Sequence, residues 1–125
     1  MSACTSQQEL DQAAIQRSFT INENYQVVYA RMNKAMRACV FSPLVDGQLY
    51  PDLNYAEITV QLSEGMPTEY AKVSRNGDGA SVELRSIRKA VVPDLQQKAV
   101  AWMEYWSKGG SECQQTFGFG VPPEI

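Results

Sequence analysis

The chain has no histidine. That removes the commonest general base and the commonest metal ligand together. It has no excess of positive charge either. Its 11 Lys+Arg stand against 14 Asp+Glu, giving a formal net charge of −3 and a pI near 4.9. Such a balance argues against a surface built to hold nucleic-acid phosphates. Apolar runs are short, and none approaches the roughly 18–20 residues that a membrane-crossing helix needs. Cysteine is scarce, three in all with no Cys-x-x-Cys pair, so no zinc centre is expected. What is there is ordinary for a globular protein: 125 residues, 44% hydrophobic and 20% charged. That length suits one domain whose core needs no metal to hold it.

The first residues carry the most specific signal. Ser2-Ala3-Cys4 has the small-small-Cys form that ends a lipoprotein signal box. There the small residues let a peptidase seat the extended backbone, and the cysteine takes the lipid. Cys4 is therefore the expected lipidation site, with a signal peptide expected upstream of Ser2. Residues 1–17 read as the remnant of that box plus a tether, polar over residues 5–9, with some helix character from Gln7 to Arg17. Residues 18–125 read as one domain. Assigning Cys4 to the lipid leaves Cys39 and Cys113. In an oxidising compartment these two would pair, closing a loop of about 75 residues worth ~4 kcal/mol in the chain-entropy model. In a reducing one they would stay free thiols packed as small hydrophobes.

Periodicity organises the remainder. Residues 23–39 carry Tyr25, Val28, Tyr29, Met32, Ala35, Met36 and Cys39 at helical spacing, one apolar stripe. Thr20 with Glu23 fits a capping box, with Asn22 as a rival cap. Residues 43–53, holding Asp46-Gly47 and Pro51-Asp52, read as an irregular turn-rich loop. Three strands follow. Tyr55 to Leu62 alternates apolar and polar residues, and Thr68 to Arg75 is joined to Ala80 to Arg88 by the hairpin signal Asn76-Gly77-Asp78-Gly79. Pro93-Asp94 opens a last helix with Leu95, Ala99, Trp102, Met103 and Trp106 on its stripe, and Gly109-Gly110 stops it. The expected fold class is α+β: a two-layer sandwich of helix, three-stranded antiparallel sheet and helix, with both helices on one face.

With these elements in place the chain resembles a group of small, uncharacterised proteobacterial lipoproteins that face the periplasm. The residues that carry the resemblance are Ser2-Ala3-Cys4, Asn24 to Tyr29, Arg37-Ala38-Cys39 and the stretch from Trp106 to Cys113. The resemblance implies a compact periplasm-facing domain behind a lipid anchor, and it brings no catalytic residue with it.

No catalytic constellation stands out. The glycines of Asn76-Gly77-Asp78-Gly79 lack the closing glutamate of a calcium loop, and Phe117-Gly118-Phe119-Gly120 lacks the context of a phosphate cradle. Asp46, Asp52, Glu57 and Glu64 supply carboxylates that a small envelope hydrolase would need in a facing pair. Two sets suit contact instead. Leu44, Val45, Leu49, Tyr50 and Leu53 make the 43–53 loop more apolar than a solvated loop requires. Lys72, Arg75, Arg85, Arg88 and Lys89 lie on or near the second and third strands, either as a basic patch or as charges that keep an open sheet soluble. The expected function is a non-enzymatic structural or binding module, anchored to a membrane (the outer membrane by preference) and facing the periplasm. Its partner would be an envelope protein or cell-wall component, with no cofactor, no metal and no nucleic acid. A carboxylate hydrolase and an unanchored cytosolic protein are the alternatives.

Overall fold

The computed structural model describes residues 16–40, 44–61, 67–87, 95–114 and 122–123. Strand β1 (Arg17–Ile21) leads into helix α1 (Tyr25–Cys39), which is followed by β2 (Val45–Tyr50) and a 3-10 turn (Pro51–Leu53). Then come β3 (Tyr55–Gln61), β4 (Pro67–Asn76), β5 (Gly79–Ser86) and helix α2 (Leu95–Ser107). The strands form one antiparallel sheet in the order β1-β5-β4-β3-β2. Helix α1 thus carries the chain from one edge of the sheet to the other. The fold is α+β, but its sheet has five strands where the alternation of the sequence points to three.

The two unexpected strands have separate explanations. β1 is five residues long, too short to display a period, and its order comes from pairing with β5 (Phe19 opposite Val82, Ile21 opposite Ala80). Thr20 therefore lies in a strand and caps nothing. β1 also begins one residue before the expected boundary at Ser18. β2 contains Asp46-Gly47, which reads as a turn, yet here it is extended and paired with β3 (Gly47 opposite Ile58). The reason for glycine is proximity. A Cβ at Gly47 would stand 2.6 Å from Asn33 Oδ1 and 2.8 Å from the Tyr29 hydroxyl, so its absence lets α1 lie close over the edge strand.

Local chemistry sets the element ends. Asn24 caps α1, its side-chain oxygen accepting from the Gln26 amide at 2.8 Å. The β4–β5 turn places Gly77 at φ +60, a conformation that suits a residue without Cβ at the first position of a two-residue hairpin loop. At the end of α2, Gly109 takes φ +101. Its amide donates to the Trp106 carbonyl at 3.1 Å and that of Gly110 donates to the Tyr105 carbonyl at 2.9 Å. This is the glycine stop that satisfies the last carbonyls of a helix.

Both helices pack on the same face of the sheet and share one core. Tyr25, Val28, Met32 and Met36 of α1 meet Val100, Met103 and Trp106 of α2 over Ile58, Ala71, Val73, Val82 and Leu84. Arg31 ties the helices together. Its guanidinium donates twice to the Ser107 carbonyl, at 2.9 Å from Nε and 2.6 Å from Nη2, and forks onto the Glu23 carboxylate at 2.7 Å. A cation there meets the negative end of the α2 dipole. Cys39, the last residue of α1, is bonded to Cys113 beyond α2, with a Cα–Cα distance of 5.0 Å. The segment carrying Cys113 is held twice more: Trp106 Nε1 donates to the Glu112 carbonyl at 2.9 Å, and the Glu112 amide donates to the Tyr105 hydroxyl at 3.1 Å.

Glu104 fastens α2 to β1. Its carboxylate accepts from Arg17 Nη1 at 2.5 Å and from Lys108 Nζ. Burial pushes its pKa up, but the hydrogen bonds and charges of Lys108 and Arg17 outweigh burial and hold it below the ordinary carboxylate value. A carboxyl depressed in the folded state stabilises the protein above its unfolded pKa, and that contribution is lost as pH falls through the folded value. Both cations are well solvated, so the Glu104→Gln variant should cost no more than ~1 kcal/mol at neutral pH. The cost should begin to shrink below the ordinary glutamate value, about 4.3, and vanish only in acid strong enough to protonate the folded carboxyl. Denaturant titrations at the two pH values check this, and an equal cost at both would contradict it.

Candidate contact surface

Alternation along the strands sorts the remaining residues onto the face opposite the helices. The register sets Tyr50 beside Tyr55, Glu57 beside Lys72, and Tyr70 beside Arg85 on that face. Among the described residues no helix covers it. The Tyr50 and Tyr55 rings lie 5.0 Å apart at a 38° tilt. Lys72 Nζ sits 4.8 Å from the centre of the Tyr55 ring, and the Arg85 guanidinium 6.0 Å from that of Tyr70, both at cation–π range. The Tyr70 hydroxyl donates to Glu57. The Tyr50 hydroxyl is pushed above the usual tyrosine value by desolvation first, then by the nearby Glu57, Tyr55 and Asp46. The surface is therefore aromatic, polar and of mixed sign.

The expected contact residues do not all gather there. Lys72 and Arg85 do, but Lys72 stands directly opposite Glu57 on one side and Glu83 on the other. Arg75 is in register with Ala80, on the helix-side row, and its Nε donates to the Gly77 carbonyl at 3.2 Å at the exposed hairpin end. Arg88 and Lys89 lie outside the described residues, as do Cys4, Glu64 and Phe117 to Gly120. Of the apolar set, Val45 is buried against the core and Leu44 is half-buried. Leu49 and Leu53 are exposed, at 38% and 64%. Tyr50 belongs to the open face. Asp46 also lies there, whereas Asp52 is in the 3-10 turn.

Tyr55 and Tyr70 lie on this face without having been singled out from the sequence, Tyr55 half-buried and Tyr70 buried. The alternation of Tyr55, Glu57 and Thr59 did place Tyr55 on the polar side, but the neighbours of Tyr70 follow only from the β3–β4–β5 register. On the helix side, Glu69 is a buried carboxylate that accepts from Thr68 Oγ1 at 3.0 Å and Ser86 Oγ at 3.2 Å. A shallow groove of ≈ 250 Å³ runs beside the disulfide, lined by Arg31, Lys34, Ala35, Cys39 and Gly109–Ser111. Among the described residues there is no cluster of three metal-ligating side chains, and no helix is long and apolar enough to cross a membrane.

Comparison with protein-family models, with curated proteins and with solved structures finds no match for this chain.

Proposed function

We propose that this chain is a non-enzymatic contact module of the bacterial envelope, lipid-anchored through Cys4 and facing the periplasm. In this reading the sheet face bearing Tyr50, Tyr55 and Lys72 meets an envelope protein or cell-wall component. The observation that carries it is the Cys39–Cys113 bond. Such bonds persist on the oxidising side of a membrane and are rare in the cytosol. With those two cysteines paired, Cys4 is the one left for a lipid. The layout suits the role, since both helices and the disulfide lie on one side of the sheet, and on the other Tyr50, Tyr55 and Lys72 are only half-buried.

Metabolic labelling with an alkyne fatty acid, in cells that make the protein behind its own leader, tests the anchor. Label should enter the wild type, and Cys4→Ala should abolish it and move the protein from the membrane to the soluble fraction. Equal fractionation of the two forms would overturn the reading. For the contact face, recovery of an envelope ligand by the anchored protein should fall with Tyr55→Ala and Lys72→Glu, while thermal melts stay close to wild type.

A further inference from the structure

The disulfide lies at the surface, beside a groove. Cys113 is exposed and Cys39 half-buried, and Cys39 forms part of the wall of the ≈ 250 Å³ groove together with Arg31 and Lys34. The Arg31 guanidinium is already committed to Glu23 and the Ser107 carbonyl. Lys34 is exposed and has no hydrogen bond or ion pair among the described residues. An anion entering the groove therefore meets an uncompensated positive charge. The segment that the bond ties down is short. Gly110 lies so close to the Tyr105 ring that a Cβ there would overlap it, and Glu112 is hydrogen-bonded to both Trp106 and Tyr105. Residues 110–113 thus form a strap across two buried aromatic side chains.

We propose that this groove receives the thiolate of an incoming dithiol, which attacks Cys39 and expels Cys113, so that the bond is a releasable clasp on the strap. The thiolate gives its electron pair to Cys39 Sγ, the Cys39–Cys113 bond breaks, and Cys113 leaves with the bonding pair and takes up a proton. The second thiol of the reagent then closes on the first and frees Cys39. The protein disulfide is reduced to two thiols, and the dithiol is oxidised to a disulfide. Three features select the sulfur. Lys34 shares the groove wall with Cys39 and draws a thiolate there. The exposed Glu112 precedes Cys113 and opposes a thiolate attacking at that end. Cys39 is the last residue of α1, so a thiolate departing from it would meet the negative end of the helix dipole, whereas Cys113 lies beyond α2 in no helix. The more stable thiolate leaves faster, which makes Cys113 the leaving group. This goes beyond the envelope-contact reading, which needs only that the bond forms.

Reduction of the folded, disulfide-intact chain in a Cys4→Ser background tests the clasp. With dithiothreitol the rate should rise in proportion to thiol concentration. The Glu112 amide should then lose protection from hydrogen exchange while the amides of β3 to β5 keep theirs. With a monothiol, quenching by iodoacetamide should find the thiol on Cys39 and the alkyl group on Cys113. Lys34→Glu should slow anionic 2-sulfanylethanesulfonate relative to cationic cysteamine by on the order of tenfold at low salt. Lys72→Glu, the same change on the open face, should leave that ratio near the wild-type value. A rate independent of thiol concentration overturns the proposal, because the bond then opens only when the whole chain unfolds. So does a mixed disulfide on Cys113, a ratio indifferent to Lys34→Glu, or a sheet that loses protection together with the strap. Fatty-acid labelling at Cys4 is unaffected by any of these results, so the clasp and the anchor fail separately.

Discussion

Removing the Cys39–Cys113 bond, by reductant or by the double substitution Cys39→Ser with Cys113→Ser, will lower the melting temperature by on the order of 10–20 °C. The bond joins residues 74 apart in sequence, and closing a loop of that size restricts the unfolded chain by ~4 kcal/mol. At this length each kcal/mol moves the midpoint by about 3–5 °C. The effect is large because small domains rarely hold more than about 5–15 kcal/mol in total. Calorimetry with and without reductant measures it, and coincident melts would show that the bridge contributes nothing.

Trp106→Ala will cost about as much, ~3–5 kcal/mol. Trp106 is only 2% exposed. It packs 5.7 Å from Trp102, ring centre to ring centre, within the shared core of both helices. Its Nε1 also satisfies the Glu112 carbonyl. Trp106→Phe keeps most of the volume and loses that hydrogen bond, so it should cost nearer ~1 kcal/mol. The bridge and Trp106 hold the same short segment after α2. Their losses should therefore be less than additive, because once the segment is free the second change has less left to release. Denaturant midpoints for the single and combined variants give the coupling, and strict additivity would contradict it.

Legibility in the sequence followed how locally each element is determined. The stripe of α1, the alternation of β3 and the Gly77 hairpin all depend on near neighbours and could be read directly, whereas the expected α2 stripe held the buried Trp102, Met103 and Trp106 but not the buried Val100 and Tyr105. So could the pairing of Cys39 with Cys113, once compartment and cysteine count were considered together. β1 and β2 depend on distant partners. Phe19 and Ile21 become a strand because Val82 and Ala80 lie beside them, and Asp46-Gly47 stays extended because Asn33 and Tyr29 fill the space over it. The 43–53 segment was apolar enough to suggest contact, but nothing in it announces that Val45 goes inward while Leu49 remains out. Arg75 was grouped with Lys72 although three positions along a strand reverse the face, a constraint legible in the spacing itself. The juxtaposition of Tyr50, Tyr55 and Lys72 needed the register of three strands, which no local pattern supplies.

The mating of β1 with β5 also fixes an order of events. β1 can settle only against β5, the last strand of the sheet, so that margin stays unfinished until the other four strands have been made. Contacts this far apart in sequence slow folding. Until β5 is made, β1 has no strand beside it, so the margin that Arg17 and Phe19 form is the last of the sheet to close.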